Sequence, residues 1–285
     1  MDSLYKSLKG KIAILNLYNE KLKSLNIDYN SREIVTSFGK TNIIITGNAS
    51  SPPILIVHGS NGCAPIALET YKGLEPNFQI FAIDVLAQPN KSAETRLSMK
   101  NDDYGKWIHE IIEALALTNV TLAGFSFGGL VILKALEFKQ ENVKEVFLTA
   151  PAYIVNGNPL KALFKVFIPM KRYMKTKKEK YVKRFLKELF TEQDNFATQF
   201  LSKVFIHFTM DFTPVPVIST KTAQSITTPI TLFAAKNDLM FPGEKMIKRA
   251  KKIFPSLKKT VLLSQSKHVQ NKEDNTLIVN TIKNS

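Results

Sequence analysis

Apolar positions along this chain follow two alternating patterns, and their order predicts an α/β protein. Short continuous apolar runs, typical of buried parallel strands, alternate with stretches in which apolar residues recur every three or four positions, as they do in helices. This alternation predicts a mostly parallel sheet covered by helices on both faces. The predicted strands lie at 54–57, 79–84, 120–125, 143–149, 230–235 and 259–263, after a predicted hairpin of 31–37 and 41–46.

The alternation is interrupted once, after Pro151. Residues 152–227 contain no apolar run suited to a buried strand, apart from 215–218, which is broken by prolines. Helical spacing instead covers 160–174, 181–190 and 194–208. We therefore expect a helical cap at 152–227, inserted into an α/β core formed by 31–151 and 228–285. An N-terminal amphipathic helix is expected within residues 1–30, where apolar residues recur from Leu4 to Leu25.

Composition narrows the class of protein. The chain has 285 residues and 44% hydrophobic residues, enough for a sizeable core. No run of about 18 apolar residues predicts a membrane span, and the apolar stretch at 12–18 is too short and polar for a signal peptide. The single Cys63 excludes an internal disulfide and favours a cytoplasmic location. Four histidines and one cysteine are too few and too scattered for a structural zinc site.

The net charge of +15 is large and is concentrated in the predicted cap. Between Lys161 and Lys187 there are eleven lysines or arginines against one acid, Glu179. We interpret this as a solvated, lysine-rich helical face, because no nucleic-acid-binding motif accompanies it. The alternative is that the charge attracts anionic substrates or a membrane surface. In the second case the protein would contact a membrane peripherally.

The sequence Gly124-Phe125-Ser126-Phe127-Gly128-Gly129 links a predicted strand to a predicted helix. Glycines two residues before and after Ser126 permit a tight turn that places the serine in strained dihedrals, with its hydroxyl expected in the open. This pattern is typical of a nucleophilic serine. The alternative, a glycine-rich turn that binds a dinucleotide, is disfavoured because the G-x-G-x-x-G spacing is absent.

A nucleophilic serine needs a base and an orienting acid, and later strand ends supply both. Asp238 follows the strand 230–235, and His268 lies in the loop after 259–263. The chain order Ser126, Asp238, His268 is the order expected for this type of triad. Each residue alone has an ordinary interpretation, a turn aspartate and a solvated loop histidine. Their joint position at two strand ends favours catalysis.

The same chemistry requires two backbone N–H groups for the developing oxyanion. One is expected from Phe127, which follows the serine. The other is expected from the loop after 54–57, from Ser60 rather than Asn61. We also expect His58, Asn61 and Phe125, which flank these donors, to contact substrate.

The chain resembles the α/β-hydrolase superfamily and its capped serine carboxylesterase-like members. The resemblance rests on the motifs above and on Ile56-Val57-His58-Gly59, Phe81-Ala82-Ile83-Asp84 and Ala235-Lys236-Asn237-Asp238. The resemblance implies an eight-stranded, mostly parallel sheet with a helical cap. It also implies hydrolysis through an acyl-enzyme, with no metal and no cofactor. Two departures stand out: Lys267 precedes the histidine where members commonly have glycine, and serine replaces the aspartate nucleophile of epoxide hydrolases and haloalkane dehalogenases.

The sequence therefore predicts a carboxylic-ester hydrolase acting on a small, apolar acyl ester, without a nucleic-acid partner. Either a monomer or a homodimer is compatible with it. Cleavage of a thioester, lactone or carbon–carbon bond by the same residues is one alternative. A non-enzymatic ligand receptor or sensor on the same fold is another.

Overall fold

One eight-stranded sheet organises the chain, whose computed structural model describes residues 3–285. The strand order is β1-β2-β4-β3-β5-β6-β7-β8. β2 pairs antiparallel with β1 and β4, and every other pairing is parallel. This confirms the predicted eight-stranded, mostly parallel sheet. The strands are β1 (Tyr29–Thr36), β2 (Gly39–Gly47), β3 (Pro53–Val57), β4 (Gln79–Ile83), β5 (Val120–Phe125), β6 (Val143–Thr149), β7 (Ile230–Ala235) and β8 (Leu257–Leu263).

Helices cover both faces of the sheet because the central strands are apolar on both sides. Leu55 and Val57 of β3 pack in one apolar cluster, whereas Ile54 and Ile56 pack in a second. Successive strand residues point to opposite faces, so the two clusters lie on opposite sides of the sheet. The helices are α1 (Leu8–Ser24), α2 (Ala64–Thr70), α3 (Asp103–Ala114), α4 (Phe127–Phe138), α5 (Pro159–Ala162), α6 (Ile168–Thr176), α7 (Glu179–Leu189), α8 (Asn195–His207), α9 (Thr220–Gln224), α10 (Gly243–Ile253) and α11 (Lys272–Lys283), with a π-helical turn at Leu163–Phe167.

The stretch between β6 and β7 contains the helices α5 to α9 and the π-helical turn. Its largest helices, α7 and α8, bury Phe185, Phe200 and Phe205 in the same cluster as residues of α1. α1 touches α8 closely, because a Cβ added at Gly10 would come within 2.6 Å of the His207 Cβ. The division of the chain into a core and an inserted cap stays a prediction.

The N-terminal helix is shorter than the apolar spacing indicates. It begins at Leu8, after Ser7, whose Oγ accepts a hydrogen bond from the Gly10 N–H at 3.1 Å. Serine at this position satisfies an N–H that has no partner within the helix, which fixes the helix start. Across residues 3–285, none of the helices combines the length and apolar character that crossing a membrane requires.

Candidate active site

Ser126 lies at the junction of β5 and α4 with φ 53° and ψ −114°. This conformation is rare for a residue with a side chain. A Cβ at Gly128 would lie 2.1 Å from the Val57 carbonyl oxygen, and one at Gly124 would lie 2.8 Å from the Gly128 carbonyl oxygen. The two flanking glycines are therefore required by close backbone approach, as the sequence pattern indicates.

Ser126, His268 and Asp238 form one continuous chain of hydrogen bonds. The His268 Nε2 lies 2.9 Å from the Ser126 Oγ, and its Nδ1 lies 2.7 Å from the Asp238 Oδ2. Asp238 is separated from His268 by 30 residues and Ser126 by 142, so the sheet brings the three together. The three residues predicted from strand ends are thus neighbours in the structure.

The hydrogen-bond partners of Asp238 set the orientation of the histidine ring. Its other oxygen, Oδ1, accepts from the N–H groups of Met240 at 2.7 Å and Phe241 at 3.0 Å. A carboxylate that accepts on both oxygens receives the Nδ1 proton of His268. The His268 Nε2 then has a free lone pair directed at the Ser126 hydroxyl. This is the arrangement in which a histidine can remove a proton from a serine.

The expectation of an open hydroxyl is wrong, because Ser126 is only 5% exposed. Gly59 lies directly against it, since a Cβ added there would be 3.3 Å from the Ser126 Cβ. On the other side, the His268 ring contacts the rings of Phe125 and Phe241 at centroid distances of 5.1 and 5.5 Å. The turn projects the serine from the sheet, and these neighbours then enclose it.

The loop after β3 leaves the Ser60 N–H without a hydrogen-bond acceptor among residues 3–285. The Asn61 N–H donates to the Gln88 Oε1 at 2.7 Å and is therefore occupied. Within residues 3–285, no acceptor faces the N–H of Ser60 or that of Phe127. Two free N–H groups near a serine nucleophile are what an oxyanion requires, so these contacts support Ser60 and Phe127 as the donors.

The His58 side chain holds the loop after β3 in place through hydrogen bonds. Its Nε2 accepts from the Val85 N–H at 3.0 Å, so the proton sits on Nδ1, which donates to the Gly59 carbonyl oxygen at 2.7 Å. That carbonyl also accepts from the Gly62 N–H at 3.2 Å. Because a trans peptide points its C=O and N–H in opposite directions, holding the Gly59 carbonyl turns the Ser60 N–H the other way.

This placement differs from the substrate contact expected of His58. The residue is 2% exposed and both ring nitrogens are bonded within the protein. Burial lowers its pKa from 6.5 to about 4, because a charged ring there would lose its hydration. We therefore assign it to the orientation of the loop. Phe125, by contrast, is half-buried beside the His268 ring, and Asn61 is half-buried with φ 56°; their contact with substrate stays a prediction.

The segment after α7 holds the loop that carries His268, which the sequence does not reveal. The Lys267 N–H donates to the Thr191 Oγ1 at 2.9 Å, and that hydroxyl donates to the Val269 carbonyl at 2.6 Å. The Val269 N–H donates to the Leu189 carbonyl at 2.8 Å. The residues on both sides of His268 are therefore fixed by residues about 80 positions earlier. No local sequence motif predicts such a contact.

Lys267 occupies the position where glycine was expected and fits without strain. It is absent from the residues of 3–285 with positive φ, so its backbone does not need glycine's freedom. Its Nζ donates to the Lys187 carbonyl at 2.7 Å, at the C-terminal end of α7. A cation there interacts favourably with the helix dipole.

No cluster of three or more metal-ligating side chains occurs within residues 3–285.

Comparison with known proteins identifies the fold independently. A family model described as "alpha/beta hydrolase fold" matches residues 52–170. Among curated proteins, the uncharacterized carboxylesterase nap of Bacillus subtilis (strain 168) is 27% identical over 135 residues, which is 47% of this chain and 45% of that protein. Carboxylesterase YbfK of the same strain is 25% identical over 152 residues, 53% of this chain and 51% of that protein. The matched part of the chain thus spans about half the length of these relatives.

Solved structures extend the likeness to nearly the whole chain. The crystal structure of naproxen esterase (carboxylesterase NP) from Bacillus subtilis superposes with a TM-score of 0.84 and 20% identity, covering 98% of both chains. Likeness at this identity shows that the fold is shared.

Proposed function

This chain is an α/β-hydrolase-fold protein, and we propose that it hydrolyses carboxylic esters with Ser126 as nucleophile, His268 as base and Asp238 as the orienting acid. The observation that carries the proposal is the unbroken hydrogen-bond chain through these three side chains, with distances of 2.9 and 2.7 Å. The names of the similar Bacillus subtilis proteins, both carboxylesterases, support the same class of reaction.

In the proposed reaction, the Ser126 Oγ attacks the ester carbonyl carbon while its proton passes to the His268 Nε2. The carbonyl oxygen becomes an oxyanion that accepts hydrogen bonds from the N–H groups of Ser60 and Phe127. When the tetrahedral intermediate collapses, the His268 Nε2 proton goes to the leaving alcohol oxygen. An ester between the acyl group and Ser126 remains.

Water completes the cycle. It attacks the acyl carbon while the His268 Nε2 accepts one of its protons. That proton then returns to the Ser126 Oγ as the carboxylic acid leaves. Asp238 stabilises the imidazolium that forms in each half-reaction. The aromatic rings of Phe125 and Phe241 beside His268 support an apolar acyl or alcohol group in the substrate.

The test combines active-site labelling with turnover. A fluorophosphonate should label the wild-type protein and fail to label Ser126→Ala. p-Nitrophenyl esters of increasing chain length should be turned over, with kcat lower by a factor on the order of 10⁴ or more in Ser126→Ala and His268→Ala. Label that persists in Ser126→Ala would refute the assignment of the nucleophile.

Two alternative functions give different results in the same experiment. Hydrolysis of a thioester, a lactone or a carbon–carbon bond uses the same residues, so it would appear as labelling with turnover confined to those substrates. A ligand receptor would label at Ser126 and release product once, without steady turnover. The closed position of Ser126 is compatible with such a receptor, which makes steady-state turnover the deciding measurement.

A further inference from the structure

The helical segment from Pro159 to Thr176 has an inner and an outer face of different character. Ala162, Val166, Met170 and Tyr173 are buried and recur every three or four residues, so they mark the inner face. The outer face lies opposite and contains Leu160 and Phe164, which are 64% and 60% exposed, followed by the exposed Lys171 and Lys175. Leu163, on the flank, is 43% exposed. Single exposed apolar side chains are ordinary on a protein surface, but Leu160, Leu163 and Phe164 are neighbours at helical spacing and form a patch.

The neighbouring helix α7 adds positive charge to the same surface. Val182, Phe185, Leu186 and Leu189 form its buried side. Its opposite side is exposed and basic, with Lys180, Lys183, Arg184 and Lys187. All eleven cations between residues 161 and 187 are exposed, whereas Glu179 is the one acid in that stretch. Glu188 is half-buried and pairs with Lys165 at 2.9 Å.

A groove joins the two helices into one surface. Phe164, Ile168 and Pro169 form its apolar part, and Arg172, Arg184 and Tyr181 form its polar part. The Arg172 guanidinium lies 5.9 Å from the centre of the Tyr181 ring, so the two side chains are neighbours in the groove. We call the outer side of residues 159–187 the basic–apolar surface. Apolar side chains and guanidinium groups lie side by side on it.

We propose that the basic–apolar surface docks this protein on an anionic lipid bilayer. Lysine and arginine side chains are attracted to the negative surface of such a bilayer, and exposed leucine and phenylalanine insert at the boundary between headgroups and acyl chains. The charge and the apolar side chains then have a common explanation. The inference does not depend on the proposed esterase activity.

Other occupants fit the surface less well. A second copy of this chain would bring the same concentration of positive charge to the contact and be repelled. A nucleic acid would satisfy the lysines and arginines, but Leu160, Leu163 and Phe164 are aliphatic or aromatic groups with no donors for phosphate oxygens. An anionic lipid bilayer therefore accounts for both the basic and the apolar side chains of the surface.

The test is co-sedimentation of the full chain with vesicles. Vesicles of phosphatidylglycerol and phosphatidylcholine should bind the protein at low salt, and pure phosphatidylcholine vesicles should bind it at least about tenfold more weakly. Raising the salt to about 1 M, where the Debye length is about 3 Å, should release most of it. Binding that is equal on both vesicle types, or unaffected by salt, would overturn the proposal.

A pair of triple variants separates the effect of this surface from that of the net charge of the protein. Lys171→Gln/Lys175→Gln/Lys180→Gln should weaken binding to the anionic vesicles by roughly a hundredfold. The matched control Lys248→Gln/Lys251→Gln/Lys252→Gln removes the same charge from the exposed side of α10 and should change binding by less than about threefold. Equal losses in both triple variants would mean that overall charge, and not this surface, drives binding.

The apolar part needs its own comparison. Leu160→Ser/Phe164→Ser should weaken vesicle binding by about tenfold or more, because the insertion of two apolar side chains is lost. Val35→Ser/Leu277→Ser removes side chains that are 74% and 45% exposed elsewhere and should leave binding unchanged. Thermal unfolding of each variant should match the wild type. A homopolymer RNA added as competitor tests the nucleic-acid alternative. If the RNA removes the wild-type protein from the vesicles, and if Leu160→Ser/Phe164→Ser still binds the vesicles as the wild type does, the surface is one for nucleic acid and docking on lipid is refuted.

Discussion

Removing the Thr191 hydroxyl is expected to displace His268 and slow catalysis. This hydroxyl accepts from the Lys267 N–H and donates to the Val269 carbonyl, so it bonds both neighbours of His268. The Thr191→Val substitution keeps the shape of the side chain and removes only the hydroxyl. We expect the Lys267 side of the loop to shift, while Val269 stays bonded to the Leu189 and Thr191 backbone and the rest of the chain stays folded.

The structure gives the size of the effect. Two hydrogen bonds are lost, each worth about 1 kcal/mol net. The Val269 carbonyl keeps the Thr191 backbone N–H at 3.0 Å, so the Lys267 N–H is the group left without a partner. The free energy of unfolding should fall by about 1–2 kcal/mol. A shift of about 1 Å in His268 can cost up to a hundredfold in rate, so we expect kcat to fall at least about tenfold.

Steady-state hydrolysis of a p-nitrophenyl ester and urea unfolding measure the two quantities on the same sample. kcat should fall by a larger factor than KM rises, because Thr191 acts through His268. Thr191→Ser keeps the hydroxyl and should restore kcat to within about threefold of wild type. Wild-type kcat in a Thr191→Val variant that loses stability as expected would refute this role of Thr191. It is also refuted if Thr191→Ser is as slow as Thr191→Val.

Three further predictions concern other parts of the structure. Gly59→Ala adds a Cβ 2.9 Å from the Phe125 ring, so ester hydrolysis and fluorophosphonate labelling should both slow by about tenfold or more at unchanged secondary structure by circular dichroism. Burial lowers the pKa of His58 from 6.5 to about 4, so between these pH values the unfolded protein binds a proton that the folded protein does not. The stability of the wild type should therefore fall as the pH is lowered from about 6.5 to about 4. His58→Gln should lack that loss, which is on the order of 3 kcal/mol in urea titrations between pH 7 and 4. Lys134→Met leaves the buried Glu137, 2.6 Å from the ammonium in the wild type, without its cation and should lower the free energy of unfolding by about 3–5 kcal/mol in the same assay.

Features with a local pattern could be predicted from the sequence. The apolar runs gave the central strands, and the glycines around Ser126 gave the turn, because both depend on neighbouring residues. The strand-end rule brought Asp238 and His268 to the same edge as Ser126, since parallel strands end on one side.

Features that depend on distant packing could not be predicted. The role of His58 follows from the Val85 N–H, 27 residues later, and nothing in its own loop indicates that contact. The burial of Ser126 depends on Gly59 and on the His268 and Phe241 rings, which come from distant parts of the chain. The hold of Thr191 on the His268 loop joins positions 76 and 78 residues apart. Leu160 and Phe164 look like core residues in a helical pattern, and only the packed structure turns them outward.

The enclosure of Ser126 has a kinetic consequence. With 5% of the residue accessible, Ser126 is largely covered by its neighbours. We therefore expect catalysis to include an opening step, in which neighbouring side chains move aside at a rate that is a property of the protein and not of the substrate. Inactivation by a reactive fluorophosphonate should consequently approach a maximum as its concentration rises, and reactive inhibitors of similar size should share that maximum. The plateau would measure how often this protein opens.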